Sequence, residues 1–92
     1  MNRRIHVFYS GQVQGVGFRI TVEEMAQRFG AVGWVKNLRD RRVELMAEGE
    51  EDSLFKFLDA IRAGPMKNFI KGIDVSWSEA TGTFEEFEIR YY

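Results

Sequence analysis

The apolar positions of this chain switch repeatedly between two periods. Ile5, Val7 and Tyr9 alternate with His6, Phe8 and Ser10, the pattern of a half-buried strand. A stretch punctuated by Gly11, Gly15 and Gly17 follows, and the spacing then changes. Phe18, Val22, Met25, Ala26 and Phe29 form one apolar stripe of a helix, and Gly30 stands where a left-handed residue would end it. Period two returns in residues 33–37 and 42–48, joined by Leu38-Arg39-Asp40-Arg41. In the second of these, Val43, Leu45 and Ala47 alternate with Arg42, Glu44 and Met46. Leu54, Phe57, Leu58 and Ile61 predict a second helix that Gly64-Pro65 stops. Glu48, Glu50, Glu51 and Asp52 are expected at its start, where negative charge suits the positive end of the helix dipole. Ile73, Val75 and Trp77 read as a fourth strand. After a turn near Thr81-Gly82-Thr83, Phe87, Ile89 and Tyr91 read as a short last one.

The predicted order is strand, helix, strand, strand, helix, strand, with an extra C-terminal strand. That is the split βαβ pattern of an α+β, ferredoxin-like α/β sandwich, an antiparallel sheet with two helices on one face. With 92 residues and no linker-like or repetitive segment, residues 1–92 are expected to form a single domain. Enzymes, small-molecule sensors and RNA binders all use this architecture, so function has to come from a site.

Composition removes many sites. The chain has no cysteine and one histidine, which excludes thiol catalysis and disulfides and argues against a metal centre or a Ser-His-Asp triad. Thirteen basic and fourteen acidic residues give a net charge of −1, a poor footprint for nucleic acid. No apolar run is long enough for a membrane span, and the two arginines at the N-terminus precede no signal-peptide core. A cytoplasmic monomer without metal, cofactor, nucleic-acid or membrane partner is the expectation.

One constellation survives these exclusions. Three of the nine glycines lie between positions 11 and 17, where the first strand passes into the first helix. Glycine lets successive main-chain N–H groups turn toward one point, and a helix start adds unpaired donors and a favourable dipole. Arg19 follows directly, a planar fork suited to phosphate. The stretch lacks the Gly-Lys-Ser/Thr of a P-loop, and position 20 is Ile rather than the third glycine of a dinucleotide fingerprint. The residues alone leave two readings open: an anion cradle, or glycines that bend a tight turn beside a surface arginine.

Gly11-Gln12-Val13-Gln14-Gly15-Val16-Gly17-Phe18-Arg19 resembles the signature of the acylphosphatase family. Gly33-Trp34-Val35-Lys36-Asn37, with Val43-Glu44 downstream, is similar to that family's second signature at the right separation. Gly64-Pro65 and Phe87-Glu88-Ile89-Arg90-Tyr91 also fit, so the resemblance covers essentially the whole chain. It implies hydrolysis of the carboxyl–phosphate anhydride of a small acyl phosphate, without metal or cofactor. It also implies that Arg19 and the backbone amides of Gly15, Val16, Gly17 and Phe18 bind the phosphate, and that Asn37 holds the attacking water. Such a site suits the composition. A carboxylate leaves without being protonated, so positioning and charge stabilisation are the main tasks. An amide positions water but is no strong base.

Two other readings compete: a non-catalytic phosphate- or anion-binding module on the same scaffold, and an RNA-binding module. The third strand lacks the aromatic pair that RNA-binding sheets of this type carry. His6 is expected on the solvated side of the first strand. Lys36, Arg39, Arg41 and Arg42 are expected as a solvated hairpin end that steers anions as a side effect. Trp34 and Trp77 are expected in sheet and core packing. The chain departs from the family pattern at three places. Asp40-Arg41 replaces the usual Asp-Gly of the hairpin, Asn68 replaces alanine, and Val22 lacks a hydroxyl often seen there. If Arg41 takes positive φ, strain of about 1 kcal/mol follows.

Overall fold

The computed structural model describes residues 1–91. Strand β1 (Asn2–Gly11) leads into helix α1 (Phe18–Phe29), followed by β2 (Val32–Asn37) and β3 (Val43–Glu50). Helix α2 (Glu51–Ala63), a 3-10 turn at Lys67–Phe69, β4 (Ile70–Glu79) and β5 (Phe87–Arg90) complete the chain. The sheet order is β4-β1-β3-β2-β5. The first four strands pair antiparallel as expected, whereas β5 adds to β2 in parallel, so the sheet is mixed.

Alternation decides which face is buried. Val75, Val7, Leu45, Val35 and Ile89 lie in one row across all five strands, and Ile5 and Ala47 lie on the same face one pleat away. Both helices cover that face. Phe18, Val22, Met25 and Ala26 from α1 and Leu54, Phe57 and Ile61 from α2 close the core. Gly30 ends α1 in the left-handed conformation, as its position predicted. Trp77 packs on the helix side against Phe55, with ring centroids 4.6 Å apart. Trp34 lies on the open face, within 5.1 Å of both Lys36 Nζ and the Arg90 guanidinium carbon. His6 is also on the open face, its Nε2 2.6 Å from Glu44.

The acidic run corrects the expectation at its first member. Glu48 belongs to β3, is 2% exposed, and plays no part in starting α2, whose first turn carries Glu51 and Asp52. The Glu48 carboxylate accepts hydrogen bonds from Arg4 Nε at 2.7 Å, Thr81 N–H and Oγ1 at 2.9 Å each, and Gly82 N–H at 3.0 Å. Burial pushes its pKa up, but the Thr81 and Gly82 amides and the Arg4 guanidinium outweigh that and bring it to about 2. The side chain therefore pins the turn before β5 to the sheet.

Candidate active site

The end of β1 delivers the glycine loop to the start of α1. Gly15 has φ 77° and Gly17 has φ 81°, a left-handed region costly for a side chain, so glycine at both positions allows this path. Gly17 is the N-cap of α1. It offers no side chain to the helix, and the first turn holds no acid. Among the described residues, the main-chain N–H groups of Gly15, Val16, Gly17 and Phe18 donate to no backbone or side-chain acceptor. Four donors and the positive end of a helix dipole are thus left open at one place.

Arg19 stands in that first turn, where a cation is locally unfavourable. Among the described residues it pairs with no carboxylate. Its guanidinium carbon lies 5.0 Å from the Tyr91 ring centre. Tyr91 directly follows β5, which runs parallel to β2. Lys36 is level with Arg90, so Tyr91 follows where Asn37 ends β2. Asn37 is also level with Val43, which is level with Tyr9, so the Asn37 row lies on the helix side of the sheet. The Asn37 Oδ1 atom is buried and, among the described residues, has no hydrogen-bond partner.

The hairpin that carries Asn37 is fastened to the loop. Gln14 Nε2 donates to Leu38 O at 2.8 Å and to Arg42 O at 2.9 Å, bridging both stems of the turn. Within the turn, Arg41 N–H donates to Leu38 O at 3.2 Å and Leu38 N–H to Arg42 O at 2.8 Å. Arg41 takes φ 77°, the conformation that a glycine would adopt without strain. The basic cluster divides: Arg42 pairs with Asp40 at 2.8 Å and Lys36 with Glu44 at 3.9 Å. Arg39 and Arg41 instead border an open cavity of about 610 Å³ together with Gln12, Gln14 and Val16.

Three supporting residues were not singled out by sequence. Gln14 stands in the sequence within the glycine motif, where a polar side chain in an apolar-glycine loop is a usable signal. Thr21 Oγ1 donates to Gly17 O at 3.0 Å, so a hydroxyl reaches the loop from the residue beside Val22, which is buried in the core. Tyr91 shows in sequence only as the end of the last strand and of a family-matching stretch, with no sign of its place over Arg19. Tyr9 supports the loop from below through an edge contact with Phe18, ring centroids 5.1 Å apart. Its hydroxyl is buried without a partner, and burial pushes its pKa up, so it stays protonated. Among the described residues no three His, Asp or Glu side chains converge as metal ligands, and no helix is long and apolar enough to cross a membrane.

Comparison with known proteins gives a consistent result. A family model described as acylphosphatase matches residues 5–89. The chain is 40% identical over 87 residues to an acylphosphatase of Pyrobaculum calidifontis, covering 94% of this chain and 79% of that one. It is 42% identical over 87 residues to one of Methylococcus capsulatus, covering 95% of each. Among solved structures, an acylphosphatase from Bacillus subtilis matches with TM-score 0.90 and 37% identity, covering 97% of this chain and 99% of that one.

Proposed function

The chain belongs to the acylphosphatase family, and from that premise we propose how its own residues divide the work. The reaction is hydrolysis of an acyl phosphate to carboxylate and phosphate. In this reading the amides of Gly15, Val16, Gly17 and Phe18 and the guanidinium of Arg19 hold the phosphate oxygens. Asn37 holds the water that attacks phosphorus. The P–O bond to the acyl group breaks, its electron pair leaves on the carboxylate, and the water protons pass to phosphate oxygen or solvent.

The observation that carries this reading is the buried, unpartnered Oδ1 of Asn37. An orphaned acceptor costs about 1–3 kcal/mol, so its retention at the end of β2 favours a role in holding a donor such as water. The open donors and Arg19 supply fixed positive potential where charge spreads over the phosphoryl oxygens. Gln14 keeps the two parts in register. The same reading takes residues 1–92 as one acylphosphatase-like domain with a complete site in each chain, which supports a monomer. The absence of cysteine and the near-neutral charge support a cytoplasmic setting.

The test is hydrolysis of benzoyl phosphate by wild type and Asn37→Ala, with and without a chelator. Wild type should turn over equally in both conditions. Asn37→Ala should bind phosphate while losing turnover. Phosphate binding by wild type with no hydrolysis would instead identify a non-catalytic anion module.

A further inference from the structure

The acyl half of the substrate has to go somewhere, and in-line displacement restricts where. Entering water and departing carboxylate lie on opposite sides of phosphorus. The Asn37 Oδ1 atom is buried, so the water it holds approaches from the protein side. The acyl group therefore leaves toward the open rim of the cradle. Sharing its lining with the cradle is a cleft of about 160 Å³ bordered by Val13, Gly15, Gly17, Phe18, Arg19 and Ile20.

Ile20 is out of place for a helix that buries Phe18, Val22, Met25 and Ala26, because it is 57% exposed. Met1, Ile20, Phe55, Ile73 and Tyr91 are the exposed large apolar residues among those described. Two of the five border Arg19: Ile20 follows it in sequence and shares its cleft, and Tyr91 stacks on its guanidinium. An apolar rim around a charged cradle matches a substrate that is an anion at one end and hydrocarbon at the other. We infer that Ile20, with the Tyr91 ring, receives the acyl group and makes Ile20 a specificity-determining residue for acyl phosphates with an aromatic or extended aliphatic acyl chain. The inference rests on the cradle assignment above. The acetyl group is too short to cover Ile20, whereas a benzoyl ring removes apolar surface from water on both partners.

The experiment measures kcat/KM for benzoyl phosphate and acetyl phosphate in wild type, Ile20→Ser, Ile20→Leu and Phe55→Ser. In Ile20→Ser the benzoyl-to-acetyl ratio should fall about fivefold, the lower range for a lost methylene-sized contact in a binding site. Ile20→Leu should keep the ratio, since it keeps the hydrocarbon. Phe55→Ser removes an equally exposed apolar side chain on α2 and should keep it too. A ratio within twofold of wild type in Ile20→Ser, or an equal fall in Phe55→Ser, overturns the inference and leaves the cradle assignment standing. Failure of wild type to hydrolyse either compound overturns both.

Discussion

Arg4 and Arg19 stand at opposite ends of the path from β1 to α1, and their surroundings differ in kind. Around Arg4 the polar groups are closed on one another: Glu48 takes four hydrogen bonds from Arg4, Thr81 and Gly82. The adjoining start of α2 carries Glu51 and Asp52, and Glu51 N–H donates to Met1 O at 3.1 Å. Around Arg19 the polar groups are open. Its helix starts with an uncapped turn, and among the described residues the loop amides lack acceptors and Asn37 Oδ1 lacks a donor. Charge satisfied inside the fold contributes to stability, whereas charge left open costs stability and is free to bind. Substitutions in the two regions should therefore move different observables.

The largest expected effect is on activity, in the open region. Arg19→Ala should lower kcat/KM by about 10³-fold, the lower range for a guanidinium that stabilises phosphoryl transfer. Arg19→Lys should recover little, because a point charge cannot reproduce a fork. Thermal melts should show no loss in either variant, since each change leaves no acid in the first turn unpaired. Asn37→Ala should lower kcat by about 10²-fold with KM little changed, the size of effect expected from mispositioning one reactant. Its melting temperature should be equal to or above that of wild type, because an orphaned acceptor is removed. A fall in melting temperature matching the fall in activity would erase the distinction between the regions.

The closed region should answer the other way. Glu48→Ala strands the Thr81 and Gly82 amides and the Arg4 guanidinium, and should cost about 2–4 kcal/mol of stability. At temperatures where the variant remains folded, kcat should be that of wild type. The pH dependence has a definite sign. The native carboxyl is held down at about 2, against 4.5 for an unperturbed one. Between those values the unfolded state binds more protons, so stability rises with pH across the window and is lost as pH falls through it. Glu48→Gln should therefore lose less stability relative to wild type at pH 3 than at pH 7, as measured by denaturant unfolding. An equal difference at both pH values would show that charge is not what the network stabilises.

These regions were unequally legible in the sequence. The strands and helices follow from the alternation of Ile5, Val7 and Tyr9 and the stripe from Phe18 to Phe29, because those patterns are local. The loop glycines and Arg19 were visible for the same reason, lying within nine residues. Glu48 fits both the end of the strand 42–48 and the acidic helix start, and the partners that decide for the strand, Thr81 and Gly82, are more than thirty residues away. A buried carboxylate and a helix-start carboxylate have identical local sequence. The parallel pairing of β5 with β2, and the stacking of Arg19 on Tyr91 just beyond it, are tertiary facts with no periodic signature. The same holds for Gln14, whose hydrogen bonds to Leu38 and Arg42 cross from the loop to a hairpin that the sequence shows only as a separate motif.

The smallest effect lies on the border between stability and function. Arg41 holds φ 77° in an exposed turn, and no contact in the turn needs its side chain to hold that angle. Arg41→Gly should relieve the strain and raise stability by at most about 0.5 kcal/mol after the entropy of the unfolded glycine is counted. For a domain of this size that is a rise of at most about 2–4 °C in melting temperature. The loss of one unpaired guanidinium beside the cavity should lower kcat/KM by about twofold at low salt and by less at 0.5 M salt, because solvent ions screen exposed charge. The turn also abuts Asn37, so kcat is the deciding number. An unchanged kcat means that the Gln14 bridge, rather than the strained turn, sets the aim of Asn37. A kcat that falls with the salt-dependent part removed would place part of that aim in Arg41 and make its strain a component of the open region.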